Sequence, residues 1–262
     1  MGDHGRPTSA TPTKAEIEKA SFMEKLQGIV LENRKHSDSA NIVTLYTRSR
    51  GRISFISTTG SGKGARLKAA RLMPLALVET EVRFSENKEL QRLGTVSSPH
   101  SWQDLYFHPV KRTLAIFLTE FLNRVFRYSS GDPYAWDYLH HSIRFLDETD
   151  NSIANFHIAF LVGLLPFAGI RPDTASWQPG DWFSMDSAEF SPLPTGRNQW
   201  ISPEEAASIP ILGRITFENM TKFRFSGEQR RRVLSGLLRY YASHYPGADS
   251  LNCIDVLREL FE

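Results

Sequence analysis

With 262 residues, 40% of them hydrophobic and 23% charged, the chain has a globular composition and is long enough for two ordinary domains. Its net charge of +2 excludes any conclusion about partners from the total and leaves the distribution of charge as the informative quantity. The single Cys253 excludes an internal disulfide framework and any zinc site built on several thiolates, and it fits a reducing, cytoplasmic compartment.

Residues 1–22 carry almost no apolar periodicity, contain no signal-peptide-like apolar stretch, and read as a disordered extension. Short β-type runs follow at Ile29–Leu31, Ile42–Thr47, Ile53–Ser57, Leu75–Phe84 and Leu90–Val96, separated by turn residues. Together they predict a small β-barrel over 23–99. Arg50-Gly51 supplies the tight turn between the second and third runs, and Gly60-Ser61-Gly62-Lys63-Gly64 reads as a flexible loop.

After Pro99 the apolar period changes from two to 3.6, and Ser101 with Asp104 offers a capping-box-like start for a first helix. Leu114, Phe117, Leu118, Phe121, Leu122 and Val125 fall on one helical face. Ile153, Phe156, Phe160, Leu161, Leu164 and Leu165 repeat the pattern, as do Val233, Leu237, Leu238 and Tyr241. The run Ile158–Ile170 is shorter than the roughly 20 residues a membrane span needs and reads as a buried helix. Ser226 with Gln229, and Ser202-Pro203 with Glu205, mark two later helix starts, and Pro246-Gly247 stops the last helix. Residues 170–200, rich in proline and tryptophan, read as an irregular excursion packed by its own aromatics. The expected fold class is therefore α+β: an N-terminal barrel over 23–99, then an all-helical domain over 100–262.

Charge is unevenly distributed. Between Asp38 and Glu79 there is no acid, while Arg48, Arg50, Arg52, Lys63, Arg66, Lys68 and Arg71 supply positive charge. Arg48, Arg50 and Arg52 share one face wherever the backbone is extended, and a glycine-rich loop brings N–H groups and Lys63 close to phosphates. This set is the candidate DNA-binding surface; an ordinary solvated face is the alternative. Tyr46 and Phe55 could offer π-faces to unpaired bases, although core positions are favoured for both. Arg230, Arg231, Arg232 and Arg239, preceded by Lys222 and Arg224, form a possible secondary basic site, for which a solvated helix face is the plainer reading.

Catalytic patterns are missing. The P-loop pattern fails at Ser57 and Gly64, where a glycine and a hydroxyl residue are required. His140 and His141 are adjacent and point to different helical faces, with no HExxH or CxxC partner. No GxSxG elbow occurs, Cys253 lies in an apolar stretch, and Asp173, Asp181, Asp186 and Glu189 are unspecific. Neither a catalytic residue nor a metal or other cofactor is expected.

The order of segments resembles the bacterial RecO family of DNA repair proteins, from about Leu26 to Leu260. The resemblance is carried by Ile29-Val30-Leu31 through Ile42–Thr47 to Gly51-Arg52, and by Gly62-Lys63-Gly64-Ala65-Arg66. Further along, Ala115–Leu122, Pro133–Leu139 and Phe156–Gly169 with Pro172-Asp173 are similar to the family's successive helices. It implies an OB-fold domain followed by a helical domain and a non-enzymatic recombination mediator, cytoplasmic and nucleoid-associated. Such a protein binds single- and double-stranded DNA, anneals complementary strands, contacts the single-strand-binding protein, and works with RecR to load RecA. The alternative is a protein-interaction adaptor that reaches DNA only through its partners. One departure concerns zinc: many relatives carry a four-cysteine module where Asp173–Pro194 here has no cysteine, so no zinc is expected, with Trp177, Trp182 and Trp200 filling that role by packing.

Overall fold

The computed structural model describes residues 23–85, 88, 90–254 and 256–257; the extension expected over 1–22 lies outside them. The N-terminal part is one curled sheet of six strands in the order β5-β3-β2-β1-β4-β6. β1 (Met23–Ser37) pairs antiparallel with β4 (Leu77–Arg83) through its first half and with β2 (Ala40–Thr47) through its second. Register shifts after Val30 and after Lys35 let one long strand bend between two neighbours. β3 (Gly51–Thr58) pairs with β2, β5 (Gln91–Arg92) runs parallel to β3, and β6 (Val96–Ser97) adds to β4. Between β5 and β6 the chain passes so close to β4 that a Cβ on Gly94 would lie 1.8 Å from the Glu81 carbonyl oxygen. Only glycine permits that approach, which draws the two edges of the sheet toward each other and curls it into a half-barrel where the sequence predicts a small barrel.

Two sequence expectations are corrected here. The first strand begins at Met23, not Ile29, because pairing with β4 organises the polar residues 23–28 that carry no strong strand signal. Lys63-Gly64, expected to be part of a flexible loop, opens helix α1 (Lys63–Arg71), with Gly62 as its N-cap at φ +103. Ala, Leu, Arg and Lys are good helix formers, so α1 forms although it buries no residue and shows no apolar stripe.

The sheet is buried on both faces. Leu26, Val30, Val43, Leu45 and Phe55 fill the barrel. Ile29, Leu31, Tyr46, Leu75 and Leu77 face outward into the core of the helical region, where the Tyr46 ring lies 4.6 Å from that of Phe126. At about 2 kcal/mol per buried large side chain, these five residues contribute on the order of 10 kcal/mol of transfer free energy to the junction. The outer face of the sheet therefore belongs to the core of the helical region, while the half-barrel keeps a second core of its own.

The helical region begins with α2 (Pro109–Val125), not at Ser101 as the sequence suggests. Asp104 instead accepts from the N–H groups of Phe107 and His108 in a turn and pairs with Lys111 at 2.9 Å, while His108 caps α2. All six apolar residues read from Leu114 to Val125 are buried. α3 (Pro133–Glu148) starts on Asp132, whose carboxylate accepts from Tyr134 N at 2.9 Å. α4 (Phe156–Leu164) has no polar stripe and is enclosed, with Gly163 against the Tyr138 hydroxyl. α5 (Pro203–Ala206), α6 (Ile209–Leu212) and a 3-10 turn (Met220–Lys222) lead to α7 (Gly227–His244), which opens with the Ser226–Gln229 capping box.

The excursion at 170–200 is less irregular than expected. β7 (Trp182–Ser184) pairs with β8 (Glu189–Ser191) and β9 (Trp200–Ile201) in a three-stranded sheet of order β8-β7-β9. Its anchor is Phe183, 4.9 Å from Phe190 and 5.5 Å from Tyr240 on α7; Met185 is also buried. The three tryptophans are only half-buried, so phenylalanine packing on α7, and not tryptophan packing, holds this segment.

Candidate nucleic-acid interface

The seven basic residues between Arg48 and Arg71 do not form one face. Arg48 and Arg50 lie in the β2–β3 turn, where Gly51 at φ +67 breaks the extended backbone, and only Arg52 is on the strand. Each of the three is engaged. Arg48 pairs with Asp137 of α3 at 3.3 Å, Arg50 with Glu24 at 2.6 Å, and Arg52 Nε donates to Asn123 Oδ1 at 3.0 Å. Arg50 also lies 4.3 Å above the Phe84 ring. Its hydrogen bond holds the Glu24 carboxyl below the usual range. This turn is packed against the helical region: a Cβ on Gly51 would lie 2.2 Å from Ser129 O, and one on Gly131 2.4 Å from the Ser49 carbonyl carbon.

The other four residues belong to α1, beyond the far end of β3; a strand of eight residues spans about 25 Å. Lys63 and Arg66 are exposed and Lys68 is half-buried; among the described residues none of the three has an ion-pair partner. Burial and the nearby guanidinium of Arg92 both lower the Lys68 ammonium. Arg71 is turned inward, donating to Val96 O at 2.6 Å. The helix has no acid in its first turn and no side-chain cap, so exposed N–H groups and positive side chains coincide at that end.

The secondary cluster on α7 is divided as well. Arg230 is structural: its guanidinium donates to Asn155 Oδ1 at 3.0 Å and to Phe225 O at 3.1 Å, and burial lowers it. Arg232 pairs with Glu228 one turn away at 3.3 Å, and Arg239 is exposed. Tyr46 and Phe55, weighed as stacking platforms, are fully buried and belong to the core. His140 lines a cleft with Arg48, Trp136 and Asp137, and burial, then Arg144, lowers its imidazole. Cys253 packs against the apolar core beside Glu120, which accepts from its N–H at 3.2 Å.

Zinc does not fit the 173–194 segment. It offers no thiolate, and the Asp181 and Asp186 carboxylates accept from backbone N–H groups of Gln178 and Gln199 at 2.8 and 2.6 Å. Among the described residues no three of His, Cys, Asp and Glu cluster as metal ligands, and no helix is long and apolar enough to cross a membrane.

Residues not singled out from sequence complete the surface. Arg92 stands beside Lys68, while Arg127 and Tyr128 lie in the α2–α3 connection against the β2–β3 turn. Their only signal in sequence is an arginine and an aromatic in a polar turn that no apolar period requires.

A curled β half-barrel whose outer face packs into the core of a helical region, and which carries cations without ion-pair partners among the described residues on α1, defines a two-part α+β protein with a basic N-terminal surface. Comparison gives its family. The family model for the recombination protein O N terminal matches residues 23–101, and that for its C terminal matches 108–250. DNA repair protein RecO of Phocaeicola vulgatus is 36% identical over 240 residues, 92% of this chain and 100% of the relative. RecO of Bacteroides fragilis is also 36% identical, over 92% of this chain and 100% of the relative. That of Porphyromonas gingivalis is 33% identical over 90% and 98%. The chain belongs to the RecO family of DNA repair proteins.

Proposed function

We propose that the chain is a non-enzymatic recombination mediator that binds single- and double-stranded DNA through the α1 surface of its half-barrel. The observation that carries this reading is the group Lys63, Arg66 and Lys68, on a helix without an acid, with Arg92 of β5 beside it, all cations without ion-pair partners among the described residues. Neutralising phosphates releases counterions, and lowering the charge on two strands at once reduces the repulsion that opposes their pairing, which is how annealing follows from binding. Family membership supports the rest of the role: loading of RecA on DNA covered by single-strand-binding protein, with RecR as partner, in the cytoplasm at the nucleoid.

The structure's division of the basic residues decides which variant tests the surface. Charge reversal at Lys63 and Arg66 alters the surface alone, whereas Arg48, Arg50 and Arg52 are contacts of the fold. Anisotropy of a labelled oligonucleotide, titrated across a salt series, tests the reading. The expected slope of log K against log salt is roughly −0.7 per phosphate contacted on a single strand, and Lys63→Glu/Arg66→Glu lowers both affinity and slope. Absence of binding, or binding indifferent to that variant, leaves the adaptor reading, in which DNA is reached only through partner proteins.

A further inference from the structure

We propose that Tyr128, on the seam between half-barrel and helices, is a stacking platform for an unpaired base of single-stranded nucleic acid, with Arg127 contacting the adjoining phosphate. This assigns a second contact point, on the helical region, to the nucleic-acid reading above and rests on it.

Tyr128 is 88% exposed, and Tyr134, six residues on, is 77% exposed. Exposure of a single tyrosine is ordinary on a mobile loop. This connection is fixed instead. Arg52 N donates to Ser129 O at 3.2 Å, Ser129 N to Phe126 O at 3.2 Å, and Gly51 and Gly131 allow the two turns to meet backbone to backbone. Phe126 is buried under Tyr46. The chain thus holds an aromatic ring in water on a fixed support, two residues from a buried phenylalanine.

The surroundings select the ligand. The Arg127 guanidinium lies 5.5 Å from the Tyr128 ring centroid, and both lie close enough to Arg52 to act on its charge. Arg124 and Arg127 are exposed and have no ion-pair partner among the described residues. The acids nearby are already engaged: Asp137 holds Arg48, Asp132 caps α3, and Glu32, which also acts on the charge of Arg52, pairs with Arg34. An open π-face beside unopposed arginines matches a base attached to a phosphate, because every base offers a ring face and every nucleotide an anion. A duplex keeps its bases stacked on each other and cannot use the ring, so the contact is specific to single strands.

The experiment uses the full chain, a single-stranded oligonucleotide carrying 2-aminopurine, whose emission drops on stacking, and the matching duplex. Tyr128→Ala is expected to weaken single-strand binding about 5- to 150-fold, the range for loss of one base–aromatic stack, and to restore the 2-aminopurine emission. Duplex binding stays unchanged, and Tyr128→Phe, which keeps the ring, behaves as the parent. Since the side chain is almost wholly exposed, the fold is retained, which a thermal melt checks. Equal single-strand binding by parent and Tyr128→Ala overturns the proposal and leaves the surface to a protein partner. Equal losses on single strand and duplex, or the same loss in Tyr128→Phe, also overturn it. A parent that binds no DNA defeats both readings, whereas binding lost in Lys63→Glu/Arg66→Glu but kept in Tyr128→Ala defeats only this one.

Discussion

His100 Nε2 lies 2.9 Å from Oδ2 of Asp147, a carboxylate 1% exposed at the end of α3. The same carboxylate accepts from the backbone N–H groups of Gln103, Asp104 and Leu105, at 2.7 to 3.2 Å. Lys111, itself buried, donates to the carbonyls of Asp147 and Thr149 and pairs with Asp104. One acid thus fastens the segment linking sheet to helices.

Asp147→Asn should therefore be strongly destabilising, by about 3 kcal/mol, since it removes the charge that several buried donors face. The urea midpoint of the variant measures it. Burial pushes the Asp147 carboxyl up, but the hydrogen bonds from Asp104, His100, Leu105 and Gln103 outweigh it, and the net shift is downward. A depressed folded pKa gives stability that is present above about pH 4 and lost as pH falls further. Unfolding free energy should decline with acid below that point in the parent and more shallowly in Asp147→Asn.

His157 sets a second, higher pH window. Burial, reinforced by the charge of Arg230, holds its imidazole down at about 3. The unfolded imidazole takes a proton near pH 6.5, so the unfolded state binds more protons below that value and stability is lost as pH falls toward 3. About 2 kcal/mol should disappear between pH 7 and pH 5. His157→Phe should flatten the dependence over this interval, whatever its stability at pH 7; a slope unchanged in the variant would refute the assignment.

Gly51→Ala should destabilise by about 2 kcal/mol or more, combining a positive φ with a Cβ 2.2 Å from Ser129 O. Thermal unfolding of the variant checks it. Because this turn supports Tyr128, single-strand affinity should fall with it.

Cys253 should be a slow thiol. Burial, then the Glu120 carboxylate, raises it to about 12, so thiolate is scarce at pH 8. Reaction with a disulfide reagent should be slow in the folded chain and fast after denaturation. Glu120→Gln should quicken it, since Glu120 also ties Asn252 and Cys253 to α2.

What could be read from sequence follows from periodicity. The face from Leu114 to Val125 was legible because burial repeats along α2, whereas α4, buried all round, was legible as an apolar run and begins only at Phe156. Helix α1 was not, because it buries nothing and begins between two glycines. The strands β7 to β9 are two or three residues long, too short to show alternation. The basic residues were legible as a set, but their division was not: the partners of Arg50, Arg48 and Arg52 are Glu24, Asp137 and Asn123, and only folding brings them together. Tyr128 stood outside every period, and an aromatic beside an arginine in a polar turn was its only signal.

The outward face of the sheet imposes an order on synthesis. When the ribosome has delivered residues up to 99, Ile29, Leu31, Tyr46, Leu75 and Leu77 have no cover, and the nascent half-barrel shows an apolar plate to water. At about 5–20 residues per second, the remaining segment through α7 takes on the order of 10 s to arrive. During that interval the plate is a binding site for chaperones and a hazard for aggregation, and a fragment ending near residue 99 would carry the same exposed surface permanently.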